Sequence, residues 1–171
     1  MSGSLEFITT GTASGVSGFT LDNIFSAKYL SYMVVVRNVR QASANYLRVR
    51  LVSGSGVDST SNYDYASLEI LAGASPSEKK NTNQNVWKNS ISYQGTGADD
   101  GAGVLMYIYH PFDTNRFTFV QSQSSAYYSG GGLGYKMIGL HEVEQSNTGL
   151  NFGVESVTDF DITVDVFGLV Q

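Results

Sequence analysis

The side chains best equipped for chemistry in this sequence are its two histidines, His110 and His141, its scattered carboxylates, and its many serines and tyrosines. His110 precedes Pro111, whose ring fixes φ and favours a turn, so the pair reads as the tip of a hairpin. His141 has Glu142 and Glu144 beside it, a spacing that matches no known metal motif. Asp58, Asn62 and Asp64, and separately Asp99 with Asp100, offer the oxygen ligands that calcium takes. Neither group follows the spaced acidic loop with its glycine and distal glutamate, and both read as solvated turn carboxylates. A glycosidase needs two acids on facing strands about 5–10 Å apart. Asp161 and Asp165 alternate with apolar residues and read more simply as the wet face of an edge strand. No serine stands in a Gly-x-Ser-x-Gly elbow, there is no cysteine, and Gly130 to Gly134 (GGGLG) has no helix after it to supply a phosphate site. No catalytic residue, metal or cofactor is expected.

The tyrosines are more informative. Tyr63 and Tyr65 flank Asp64, while Tyr127, Tyr128 and Tyr135 flank a Ser/Gly tract. Exposed Tyr set among Ser, Gly and Asn makes adaptable recognition surfaces, and aromatic rings also stack on sugars. These five residues are the candidate recognition loops.

Composition points the same way. Charged residues make up 15% of the 171 positions, against about 25% in ordinary soluble domains. A surface that is polar by hydroxyl and amide loses less when buried against another protein than a Lys/Glu-rich one. A net charge of −5 and the absence of a basic stripe argue against a nucleic-acid partner. The start, MSGSLEFITTG, lacks the pattern of a secretory signal, and no apolar run approaches the ~20 residues of a membrane span. Synthesis in the cytoplasm and no membrane contact are expected.

The elements that must carry these residues are strands. Gly101 to Val120 reads as two strands around a turn at His110-Pro111-Phe112-Asp113. In the first of them Val104, Met106 and Ile108 face one way and Leu105, Tyr107 and Tyr109 the other, so it is apolar on both faces. Leu5–Thr10, Tyr32–Arg40, Tyr46–Val52, Tyr65–Leu71, Val86–Tyr93, Tyr135–Val143, Thr148–Ser156 and Phe160–Phe167 read as further strands. Gly11–Gly18 and Gly73–Gln84 read as loops, and Thr20–Phe25 as one helical turn capped by Thr20. The expectation is an all-β chain, an antiparallel β-sandwich of jelly-roll type with about nine or ten strands. Residues 1–18 are expected to form a flexible N-terminal arm with a short first strand, and residues 19–171 a single sandwich domain.

The order of motifs resembles a family of small β-rich virion proteins of tailed bacteriophages, notably marine and cyanobacterial phages. The resemblance rests on Phe25-Ser26-Ala27-Lys28-Tyr29-Leu30-Ser31-Tyr32, the VVVRNV of Val34–Val39, and YLRVRLVSGSG from Tyr46 with Ser61-Asn62-Tyr63 and Tyr65. It continues through Gly103–Pro111 (GVLMYIYHP) to the closing Val166-Phe167-Gly168-Leu169. The family usually carries Asn before the turn proline, where this chain has His110. The resemblance implies a structural role in the virion and no catalytic residues. The sequence has no coiled-coil or triple-helix repeat of the kind a fibre stalk needs, which leads us to expect a capsid decoration or cement protein attached to major capsid or tail proteins, or alternatively a tail-fibre or receptor-binding module contacting host glycan. A homo-oligomer such as a trimer is expected, with Leu5, Phe7 and Ile8 of the arm as the residues touching the particle.

Overall fold

β-Branched and aromatic residues at alternate positions favour strands, and none of the apolar spacing follows a helical period. The computed structural model describes residues 4–41, 45–88, 93–94, 102–128, 131–155 and 159–170, and among them it has thirteen strands and no helix. The strands are β1 (Ser4–Val16), β2 (Gly18–Leu21), β3 (Ser31–Gln41), β4 (Asn45–Ser53), β5 (Gly56–Val57), β6 (Tyr63–Leu71), β7 (Ser77–Gln84), β8 (Tyr93–Gln94), β9 (Ala102–Tyr109), β10 (Thr118–Tyr128), β11 (Gly131–His141), β12 (Asn147–Val154) and β13 (Phe160–Val170). The larger sheet has eight strands in the order β1-β13-β3-β9-β10-β11-β6-β7; the smaller runs β2-β12-β4-β5, with β8 also on β4. Every pairing is antiparallel.

The sheets form the expected antiparallel sandwich around one core. Val34 and Val36 of β3 and Val104, Met106 and Ile108 of β9 join Leu47, Val49 and Leu51 of β4 and Leu150 and Phe152 of β12 in a single buried cluster. Trp87 lies inside it, fully buried, with its indole Nε1 donating to the Leu140 carbonyl at 3.2 Å and its ring edge-on to Tyr63. Each such side chain contributes roughly 1.5–3 kcal/mol by leaving water.

Several expectations are corrected. The count is thirteen strands rather than nine or ten, because short elements such as β2, β5 and β8 are too brief to leave a pattern in sequence. Gly11–Gly18 is no loop: β1 runs unbroken to Val16, and the described part of the supposed arm is paired along β13. The Thr10 and Ser14 hydroxyls donate to Asp165 and Asp161 of β13, both at 2.6 Å, so cross-strand bonds hold a segment whose own pattern is weak. A Cβ on Gly11 would stand 2.5 Å from Leu21 and 2.6 Å from Phe19, so glycine is what lets β2 lie against β1. Thr20 is in β2 and caps no helix. Gly73–Gln84 is not all loop, since Ser77–Gln84 is the edge strand β7; a strand wet on both faces has no apolar alternation to reveal it. Of the expected strand Val86–Tyr93, the described residues show a bridge from Trp87 to Val49 and Tyr93 in β8, and residues 89–92 lie outside the described residues. The β9–β10 connection spans residues 110–117, longer than the four-residue turn expected.

Candidate functional site

An antiparallel sheet with one face on a core normally alternates apolar-in with polar-out. The larger sheet breaks this rule on its outer face. Opposite Phe7 of β1 stands Phe167 of β13; Phe167 is opposite Met33 of β3, and Met33 is opposite Tyr107 of β9. Beyond β9 the same row runs through Gln121, Ile138 and Ala66 to Lys80 on β7. One register row therefore crosses all eight strands, and only Gln121 and Lys80 in it are polar. The rows on either side add Tyr109 opposite Phe119, and Val35 opposite Leu105.

These side chains are open to solvent. Phe7 is 58% exposed, Phe119 46% and Ile138 62%, with Leu105 and Leu68 somewhat less. Exposed apolar residues scattered singly need no explanation, but a contiguous band marks an interaction surface.

The band has relief. Between β9 and β7 it sinks into a trough of ≈ 620 Å³ over Leu105, Tyr107, Gln121, Ile138 and Lys80. A second hollow of ≈ 1080 Å³ shares Ala66, Gln121, Ile138 and Lys80 with the first and continues it past Tyr109 and Phe119 to His110. The β1–β13–β3 half instead presents large side chains, with the Phe7 ring edge-on to Phe167 at 5.7 Å.

Of the candidate residues, Leu5 and Phe7 lie on β1, both exposed, and Ile8 is half-buried against the core. Tyr127 ends β10, 47% exposed. Tyr128 pairs through its backbone with Gly131, and its side chain lies outside the described residues. Tyr63, Tyr65 and Tyr135 are corrected: all three are buried, not exposed in loops. They occupy inward positions of β6 and β11, where a tyrosine buries its ring and its hydroxyl finds a partner. The Tyr63 hydroxyl accepts from the Leu51 amide at 3.1 Å and donates to the Asp58 carbonyl at 3.0 Å; that of Tyr65 accepts from Asn81, and that of Tyr135 donates to Glu69. Burial pushes both the Tyr63 and the Tyr135 hydroxyls far above the usual phenol range.

His141 and Asp58 meet in the fold, although they stand in separate clusters along the sequence. His141 closes β11, wholly buried, with Nε2 3.0 Å from Asp58 Oδ2 and its ring tilted on Tyr63 at 4.6 Å. Burial lowers the His141 pKa, and the neighbouring Asp58 opposes that shift only in part. Burial raises the Asp58 carboxyl, but the Thr60 hydroxyl and amide, His141 and Gln145 outweigh it and hold the group low. This pair ties the segment after β5 to the end of β11 and lines neither of the two hollows.

His110 sits at φ 56°, and its amide donates to the Leu30 carbonyl at 2.7 Å. Asn enters that left-handed region readily, so the resembling family's residue suits the same turn. Asp161 is held low by the Ser14 hydroxyl and the Gly15 amide, and Asp165 by Arg37 and the Thr10 hydroxyl. Both are ionised acceptors that pin β1 and β3 to β13, the reverse of what a general acid needs. Among the described residues no three His, Asp or Glu side chains converge on a metal position. Asp99 and Asp100 lie outside the described residues.

The residues missed on sequence are Phe119 and Ile138, together with the outward face of β9. The signal was the two-sided apolarity of β9, which implies a second apolar surface, and no described residue covers it.

No family model matches the chain, and no curated protein matches it. Among solved structures it is similar to a xylan β-1,4-xylosidase from Bacillus halodurans at 8% identity and a TM-score of 0.26, covering 94% of this chain and 32% of that one. The chain thus spans about a third of that protein's length, and a likeness of this order carries no argument about fold or activity.

Proposed function

We propose that this chain is a bacteriophage virion structural protein, a capsid decoration or cement protein held to the particle by protein–protein contacts and without catalytic activity. The observation that carries the reading is the row from Phe7 to Ile138, an apolar band on the outer face of a sheet whose other face already has a core. Such a face is stable in water only at a cost, and a protein cover removes it. The low charge and the resemblance to phage virion proteins support the same reading. Its neighbours are other virion proteins, major capsid or tail, and copies of itself, and its place is the virion after synthesis in the host cytoplasm. The test is proteomics on purified virions of the encoding phage, followed by incorporation of an Ile138→Lys variant. The wild type is expected in virions at capsid-like copy number and the variant at greatly reduced occupancy; absence of the wild type overturns the reading.

One observation favours a second reading, a tail-fibre or receptor-binding module. Tyr107 and Gln121 lie in the trough and Tyr109 and Phe119 along its continuation, and sugars stack on rings and bond to amides. Saturable binding on a host-glycan array, lost in Tyr107→Ala, favours this reading; no binding favours the scaffold.

A further inference from the structure

We propose that the cover of the outer face is a second copy of this chain, packed face to face about a two-fold axis that runs along the strands between β9 and β10. This rests on the reading of the chain as an assembly protein and names the partner of its apolar face.

The first ground is self-complementarity. A two-fold interface must match a surface to itself, so each feature on one half needs its counterpart on the other half. The eight strands divide at the proposed axis into β1-β13-β3-β9 and β10-β11-β6-β7. One half carries the large side chains of the central row, Phe7, Phe167 and Met33; the other carries most of the trough, with the small Ala66 in its lining and Ile138 standing exposed beside it. Rotation about the axis sets Phe167 over Ala66 of the second copy, large against small, and Met33 over Ile138. Tyr107 faces Gln121, a phenol against an amide. Phe7 meets Lys80, a ring face against an ammonium. In the adjoining row Tyr109 meets Phe119. In the row on the other side Leu105 meets Gln123, and at the ends Thr10 meets Glu78, a hydroxyl against a carboxylate.

The second ground is area. Seven interstrand spacings and three outward rows span roughly 34 by 20 Å, or about 700 Å² per copy and ~1,400 Å² in all, inside the ~1,200–2,000 Å² of stable interfaces. The smaller sheet has only four strands on its main path, and its outward row of Thr20, Asn151 and Arg50 is polar.

The test uses the full chain. Light scattering behind size exclusion is expected to give twice the monomer mass for the wild type and the monomer mass for Ile138→Lys, with the two melting midpoints equal at dilutions where the wild type is also monomeric, because Ile138 is 62% exposed. Val57→Lys, an exposed apolar site on β5, is expected to leave the dimer intact. The axis is tested by pairing Ala66→Cys with Phe167→Cys in this cysteine-free chain. Within one chain these strands stand five spacings apart, ~24 Å, beyond a short thiol cross-linker, so cross-linked product of twice the chain mass reports the two-fold arrangement. Met33→Cys with Ile138→Cys is the second pair if the first perturbs β13.

A monomer at all concentrations, a trimer, or a dimer that survives Ile138→Lys overturns the inference. A monomeric wild type that still enters virions, with Ile138→Lys excluded, means another virion protein covers the face; the assembly reading then stands and self-pairing falls. A dimer absent from virions leaves self-pairing standing and sinks the virion reading.

Discussion

Met137 and Ile138 are consecutive on β11, both large and apolar, yet the first is 3% exposed and the second 62%. The pleat sends them to opposite faces, one into the sandwich core and one onto the open band. Their substitutions should therefore separate. Met137→Ala is expected to cost about 2–5 kcal/mol through lost burial and a cavity, whereas Ile138→Ala should stay within about 0.5 kcal/mol of wild type under conditions where the chain is monomeric. Urea unfolding of dilute protein measures both, and equal costs would contradict the assignment of faces.

Tyr63 supports the core and not a binding loop. Tyr63→Phe leaves the Leu51 amide without its 3.1 Å acceptor inside the sandwich, and an unsatisfied buried donor costs about 1–3 kcal/mol. Chemical denaturation should show that loss, while any glycan or particle affinity remains unchanged. A stable Tyr63→Phe with weakened binding would restore the recognition role expected from sequence.

The His141–Asp58 pair makes stability depend on pH. Burial holds folded His141 below its ordinary value of 6.5, so the unfolded chain takes up the proton first as pH falls. That part of the stability is full above about 6.5 and is lost as pH falls through the folded value. Asp58, held low, adds a second loss in the same direction at still lower pH. The melting midpoint should drop between pH 7.5 and pH 5, and His141→Gln should flatten that interval while lowering the midpoint at neutral pH. A midpoint that rises on acidification would contradict the burial of a neutral imidazole.

Gly139 is fixed by Trp87. A methyl group there would stand 2.7 Å from Val120 Cγ1 and 2.8 Å from the Trp87 indole nitrogen. Gly139→Ala should cost about 1–3 kcal/mol by overpacking, with a changed Trp87 emission; a neutral result would mean that the indole is not seated on β11.

Much of the sandwich was legible because its inward residues repeat with period two. Leu47, Val49 and Leu51, or Phe160, Ile162 and Val164, declare their strands without help. β7 and the second half of β1 were not legible, since Lys79, Lys80, Thr12 and Ser14 have no apolar face to announce; their pairing is dictated by neighbours on β6 and β13. The tyrosines were misread for a related reason. Tyr is amphipathic, and only the strand parity, which follows from register, decides whether Tyr63 or Tyr127 is the wet one. The band itself was half legible: the two-sided apolarity of β9 was visible, but that Phe7, Met33, Tyr107 and Ile138 fall in one row depends on long-range pairing.

The most direct test of the account is a cryo-electron microscopy reconstruction of the virion at a resolution that places the two sheets. The face bearing Tyr107, Phe119 and Ile138 is expected to lie against protein density, from a second copy or from a neighbouring virion protein. That face lying open to solvent in the assembled particle would overturn both the assembly reading and self-pairing.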